Sequence, residues 1–114
     1  MPPKQNPLQL NALQLKTLTI LQELAGTEGW SKHDESSGDT TILGVPHPHG
    51  DHFHVGSKLV MSKDATGLFN EGVWKALERK GLAKDSRFPQ QITLTPDGRG
   101  YDTGMAEILR GGGH

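Results

Sequence analysis

Apolar residues recur with a helical period from Asn11 to Ala25. At 100° per residue, Leu10, Leu13, Leu18, Ile20, Leu21, Leu24 and Ala25 share an arc of roughly 160°, and Gln14, Lys16 and Glu23 lie outside it. Asn11 is placed to cap the first turn and Gly26 to follow the last as its C′ residue. Leu8 and Leu15 fall off the stripe, so they need a further element or a partner subunit to pack against. Thr27 to Asp39 is polar and glycine-containing, which predicts a surface loop whose one large apolar side chain, Trp30, folds back onto the core. Thr40 to Val45 is β-branched and apolar, a strand ended by Pro46 and Pro48. A second strand is expected from His52 to Met61. There Phe53, Val55, Leu59 and Met61 alternate with His52, His54 and Lys58, and the alternation breaks once at Gly56–Ser57. Together these two strands predict a central hairpin.

In the second half, Ser62 is placed to cap a short helical turn that Gly67 then breaks. Asn70 caps a second helix running to Lys80, with Gly81 as its C′ residue. Val73, Trp74, Ala76 and Leu77 lie on one side of it, and Glu71, Lys75, Glu78 and Arg79 on the other. Leu82 to Lys84 and Gln91 to Thr95 read as short strands around a charged turn, Asp85 to Gln90. Pro96 stands where an N1 proline belongs, after Thr95 as N-cap. Tyr101, Met105 and Ile108 then share a helical face, although Gly98, Gly100 and Gly104 each weaken that last helix by roughly 1 kcal/mol.

Composition narrows the function classes. The chain has 114 residues, enough for one core, and its formal net charge is −1, so any attraction to polyanions has to be local. It has no cysteine, which removes disulfides, thiolate metal sites and thiol nucleophiles together. No stretch reads as a signal peptide or a membrane span, because Leu8 to Ala25 is interrupted by polar residues. The expected organisation is a flexible arm (residues 1–7), one domain (8–110) and a glycine tail (111–114), in a cytoplasmic protein.

The segment from Ser62 to Leu109 resembles the second half of a winged helix-turn-helix domain. The residues that carry the likeness are Val73-Trp74-Lys75-Ala76-Leu77-Glu78-Arg79-Lys80-Gly81-Leu82 and Ile92-Thr93-Leu94-Thr95-Pro96-Asp97-Gly98-Arg99. The first run is similar to a recognition helix that ends in glycine before the wing. The second is similar to the wing's return strand feeding a closing helix, as in regulators of the multiple-antibiotic-resistance type. The resemblance implies an α+β, winged-helix-like fold: an N-terminal helix, a central β-hairpin, a helix-turn-helix and a C-terminal wing. It also implies a small DNA-binding regulator acting as a homodimer, with Lys63, Lys75, Arg79, Lys84, Arg87 and Arg99 at the nucleic acid. Two features depart from the pattern. The link between the first helix and the helix-turn-helix runs from Gly26 to Met61, and Glu71 and Glu78 leave the recognition helix's outer face nearly neutral. The same fold also serves as a protein-interaction module without nucleic acid.

The densest chemistry lies elsewhere. His47, His49, His52 and His54 fall within eight residues, with Asp51 among them. Imidazole and carboxylate are preferred ligands of zinc. Residues at i and i+2 on a strand share a face, so His47/His49 and His52/His54 form pairs that a hairpin tip would bring around one Zn²⁺. His47-Pro48-His49-Gly50-Asp51-His52 also matches the metal motif of metallo-β-lactamase-type hydrolases, which would put His47 and His49 on one metal and Asp51 and His52 on another. That fold needs about twice this length and further ligands, and after His54 only His114 remains. Ser31, His33 and Asp34 are adjacent in sequence, which is not triad geometry. The sequence therefore predicts no enzyme and no required cofactor, with zinc at His47, His49, Asp51, His52 and His54 as the metal alternative.

Overall fold

In the computed structural model, residues 6–111 are described. The chain forms helix α1 (Ala12–Ala25), strands β1 (Ser31–His33), β2 (Thr40–Ile42), β3 (His52–Val55) and β4 (Lys58–Met61), and two 3₁₀ turns (Ser62–Asp64 and Thr66–Phe69). Helix α2 (Glu71–Arg79), strands β5 (Ala83–Arg87) and β6 (Gln91–Leu94), helix α3 (Pro96–Gly100), a 3₁₀ turn (Ala106–Ile108) and strand β7 (Arg110–Gly111) follow. This is an α+β fold with two antiparallel sheets. One is four-stranded in the order β1-β2-β6-β5, and the other three-stranded in the order β3-β4-β7. No helix among the described residues is long and apolar enough to cross a membrane.

Helix α1 is where its pattern places it and is capped as expected. Asn11 accepts from the Gln14 amide, and the Gln14 side chain accepts from the Asn11 amide, a reciprocal capping box. Gly26 follows as the C-cap residue, in an ordinary right-handed conformation. The helix is buried on more than its stripe. Leu15, Leu18, Ile20, Leu21 and Leu24 are in the core, and so are Thr17 and Thr19. Both threonine hydroxyls donate back to carbonyls one turn earlier, at 2.8 Å, and Thr19 also meets Thr103 across 2.6 Å. Their polarity is thereby satisfied inside the core. Helix α1 touches both sheets, both 3₁₀ turns before α2, α2 itself and α3. Leu15, off the apolar stripe, is buried because of this wrapping, and Leu8 packs at the edge of the same core.

Helix α2 keeps its expected ends, with Asn70 accepting from the Gly72 amide and Gly81 at φ +77 beyond Lys80. Val73, Trp74, Ala76 and Leu77 are buried, and Glu71, Lys75 and Arg79 face solvent. The Trp74 ring meets Phe88 edge-to-face at 5.0 Å, which ties the helix to the turn between β5 and β6.

Several expectations are corrected. The Thr27–Asp39 loop contains β1, because Ser31–His33 finds a partner edge on β2. The strand expected to Val45 stops at Ile42, leaving Leu43 exposed. His52 to Met61 is not one strand but the hairpin β3–β4, turning at Gly56–Ser57, and it belongs to a different sheet from β2. The charged turn is shorter than expected, since β5 continues through a bulge to Arg87. Ser62 caps nothing, and its buried hydroxyl has no hydrogen-bond partner among the described residues. Where the first half of a helix-turn-helix is expected, the chain forms a pair of 3₁₀ turns. Gly67 breaks neither turn but sits inside the second, where a Cβ would overlap the Thr17 hydroxyl. The last helix ends at Gly100. Tyr101, Met105 and Ile108 do reach the core, the first two from irregular backbone and Ile108 from the 3₁₀ turn Ala106–Ile108. Gly111, expected in the tail, pairs with Lys58 in β7; residues 1–5 of the expected arm and 112–114 of the tail lie outside the described residues.

The two glycines of α3 make a paired test. A Cβ on Gly98 would overlap the Leu82 carbonyl, a backbone group that already accepts the Thr95 amide, whereas Gly100 meets nothing within 4 Å. Gly98→Ala is expected to lower stability by about 1–3 kcal/mol. Gly100→Ala is expected to leave it unchanged or raise it by up to about 1 kcal/mol. Urea unfolding midpoints of the two variants check this.

Candidate functional site

Two surfaces carry the residues singled out by sequence. The first runs from α2 onto β5. Lys75 and Arg79 stand one turn apart on the solvent side of α2, and Lys84 and Arg87 follow on β5. Lys63 is exposed on the first 3₁₀ turn. Arg99 is exposed in α3, where its guanidinium donates to Thr40 Oγ1 at 3.3 Å. Lys75 and Arg79 thus share α2 and Lys84 and Arg87 share β5, while Lys63 and Arg99 stand on other elements.

Acidic partners shape this surface. Lys75 Nζ lies 3.9 Å from Glu71, an exposed pair of the i, i+4 kind that contributes little. Glu78 accepts the Ser86 amide at 3.0 Å and so sits in the angle between α2 and β5. Lys84 donates to Asp39 at 2.5 Å. Asp39 precedes β2 and lies far from Lys84 in sequence; the spacing rules that find helix pairs cannot find it. The hydrogen bond from Lys84 holds the Asp39 carboxyl below its ordinary value of 3.8, and the same bond raises Lys84. Arg79 and Arg87 have no ion pair among those recorded for the described residues.

The second surface is the histidine hairpin. His49 and His52 flank a two-residue turn, joined by amide-to-carbonyl bonds of 2.7 and 3.4 Å. Gly50 takes φ +68 and Asp51 does not follow it into positive φ, which is type II′ geometry with glycine at the first central position. The turn directs the histidines. Phe53 and Val55 point into the core, so His52 and His54 point out on the other face of β3. His49, opposite His52, lies on the same side. The His49–His54 and His52–His54 ring centroids are 5.1 and 5.0 Å apart, both edge-on, and His49–His52 are 6.3 Å apart and stacked. Asp51 Oδ1 lies 3.3 Å from His52 Nδ1. His47 is exposed, and no ring contact is recorded for it. Among the described residues, no group of three or more His, Cys, Asp or Glu is already arranged to hold a metal ion.

A third feature escaped the sequence reading. A shallow cleft of about 520 Å³ is lined by Pro7, Leu8, Leu82, Pro96, Asp97, Gly100, Tyr101 and Asp102. Its walls come from residues remote in sequence, so no local signal marks it. No family model, curated protein or solved structure matches the chain.

The Asp39–Lys84 pair has a pH signature. Because the folded Asp39 value is lowered, its stabilising contribution is present above pH 3.8 and is lost as pH falls through that lowered value. Because Lys84 is raised, its contribution is present below 10.5 and is lost as pH rises through the raised value. Carboxyl NMR titration should find the Asp39 midpoint below 3.8 in the native protein and higher in Lys84→Met than in the native protein. An unchanged midpoint in that variant would refute the assigned cause.

Proposed function

We propose that the chain is a small nucleic-acid-binding protein built on a winged-helix-like plan and acting in the cytoplasm. The observation that carries this is topological: α2 feeds β5, β5 returns as β6, and β6 pairs with β2, a strand that follows the first helix. That order suits a recognition helix followed by a wing. The β1 strand and the β3–β4 hairpin fill the long link that departs from the pattern, so the departure is an insertion between otherwise adjacent parts. The buried Trp74 turns the cationic side of α2 outward.

Contact with duplex DNA then runs through Arg79 and Arg87 first, since binding through Lys75 or Lys84 has to displace Glu71 or Asp39. Two to four phosphate contacts give a slope of log affinity against log salt of about −2 to −4. Fluorescence anisotropy with a labelled duplex should therefore show affinity falling by about tenfold to a few hundredfold between 50 and 200 mM salt. Arg79→Ala and Arg87→Ala should each reduce the slope by about 1. Absence of binding at tens of micromolar protein in low salt, or binding indifferent to both substitutions, would refute the proposal.

A second reading rests on the nearly balanced charge of α2, where Glu71 pairs with exposed Lys75 and Glu78, half-buried against β5, precedes exposed Arg79. Such a face suits a protein partner or a second copy of the chain. Salt-insensitive self-association, measured by sedimentation in the absence of nucleic acid, would favour this reading.

A further inference from the structure

We infer that the cleft beside Tyr101, together with a smaller one that shares its wall, binds a linear aliphatic polyamine. The larger cleft, about 520 Å³, has apolar walls from Pro7, Leu8, Leu82 and Pro96, and is also lined by Asp97 and Asp102. The smaller, about 300 Å³, shares Tyr101 and Asp102 and adds Glu23 of α1. Among the described residues, no lysine, arginine or histidine lines either cleft. The cations nearest in the fold are spent elsewhere: Arg99 turns its guanidinium to Thr40, and Lys80 donates to the Leu8 carbonyl at 2.6 Å. Asp97, Asp102 and Glu23 have no ion pair among those recorded for the described residues. The Gly104 amide, 3.1 Å from Asp102 Oδ1, holds the carboxylate that both clefts share. Charge complementarity therefore calls for a cation, and the apolar walls call for one with a hydrocarbon body.

The backbone decides between a polyamine and a basic peptide. An extended peptide docks through main-chain hydrogen bonds. Pro7 and Pro96 have no N–H to give. The Leu8 N–H donates to the Tyr101 hydroxyl at 3.2 Å, and the Leu82 N–H donates to the Leu77 carbonyl at 3.0 Å. The carbonyls of Leu8 and Leu82 already accept from Lys80 and from the Thr95 amide. These four walls thus offer hydrocarbon contact and no free main-chain donor. Methylene segments interrupted by ammonium groups suit them. The methylenes lie on Leu8 and Leu82, the ammonium groups meet Asp97, Asp102 and Glu23, and the Tyr101 ring adds a cation–π contact.

The test titrates the tag-free full chain with spermidine, without nucleic acid, and follows the backbone amides by NMR. Millimolar spermidine should give saturable one-site shifts concentrated at Leu8, Leu82 and residues 97–104. Asp97→Asn, Asp102→Asn and Glu23→Gln should each weaken binding by about twofold to fivefold, as expected for exposed ion pairs. Added sodium chloride should weaken it as well. Glu35→Gln, which removes an exposed carboxylate that lines neither cleft, should leave it unchanged. Shifts that do not saturate, binding indifferent to the three substitutions, or an equal loss in Glu35→Gln would overturn the inference. So would tighter binding of a blocked lysine-leucine-lysine tripeptide than of spermidine, which would make this a peptide site.

Discussion

The burial of α1 on nearly every side is the constraint on which the rest of the structure depends. An amphipathic helix normally shows one face to the core and the other to water. Here Leu15, Leu18, Ile20, Leu21 and Leu24 are joined in the interior by Thr17 and Thr19, so neighbours are needed all round. The four-stranded sheet, the β3–β4 hairpin, α2 and α3 each cover a part. The close fit has local consequences. Gly67 lets the 3₁₀ turn approach Thr17, and Lys16, at the rim, reaches Asp64 of the preceding turn at 2.9 Å. Gln22, also on α1, donates to the carbonyls of Gly98 and Tyr101 and so holds the segment after α3.

This arrangement produces two surfaces of different mechanical character. Helix α2 is anchored by Trp74 and Leu77 and presents its charged side chains from a rigid element. The histidines stand on a turn whose inward residues, Phe53 and Val55, are fixed, while three of the four imidazoles are exposed. Phe53 packs at 5.8 Å against Phe69, just ahead of the Asn70 cap. The histidine hairpin therefore abuts the start of the helix that carries the nucleic-acid proposal. Fold alone assigns no activity; each proposal rests on the side chains at its own surface.

What the sequence made legible was local. The Asn11 cap, the Asn70 cap, the Gly81 terminus and the Thr95–Pro96 start all act within one helical turn, and all are present. The apolar face of α2 was readable for the same reason. What stayed hidden was long-range. Strand β1 exists because β2 offers an edge, Gly67 is required by a helix some fifty positions earlier, and Asp39 meets Lys84 only after the sheet has formed. The spacing of Tyr101, Met105 and Ile108 signalled burial correctly but not helix, since glycine ends α3 and Thr103 is drawn to Thr19 instead. The histidine cluster was half legible: pairing at i and i+2 followed from strand geometry, whereas the choice of His49 over His47 as the third ring depended on where the turn fell.

Native-state hydrogen exchange tests the central role of α1 most directly. A helix covered by strands of both sheets, α2 and α3 can expose its amides only when the whole domain opens. The amides of Leu18, Ile20, Leu21 and Leu24 should therefore be the slowest in the protein and share a single opening free energy equal to that of global unfolding. If they exchange through a smaller opening while the β2–β6 amides remain protected, α1 is a peripheral helix and the account fails.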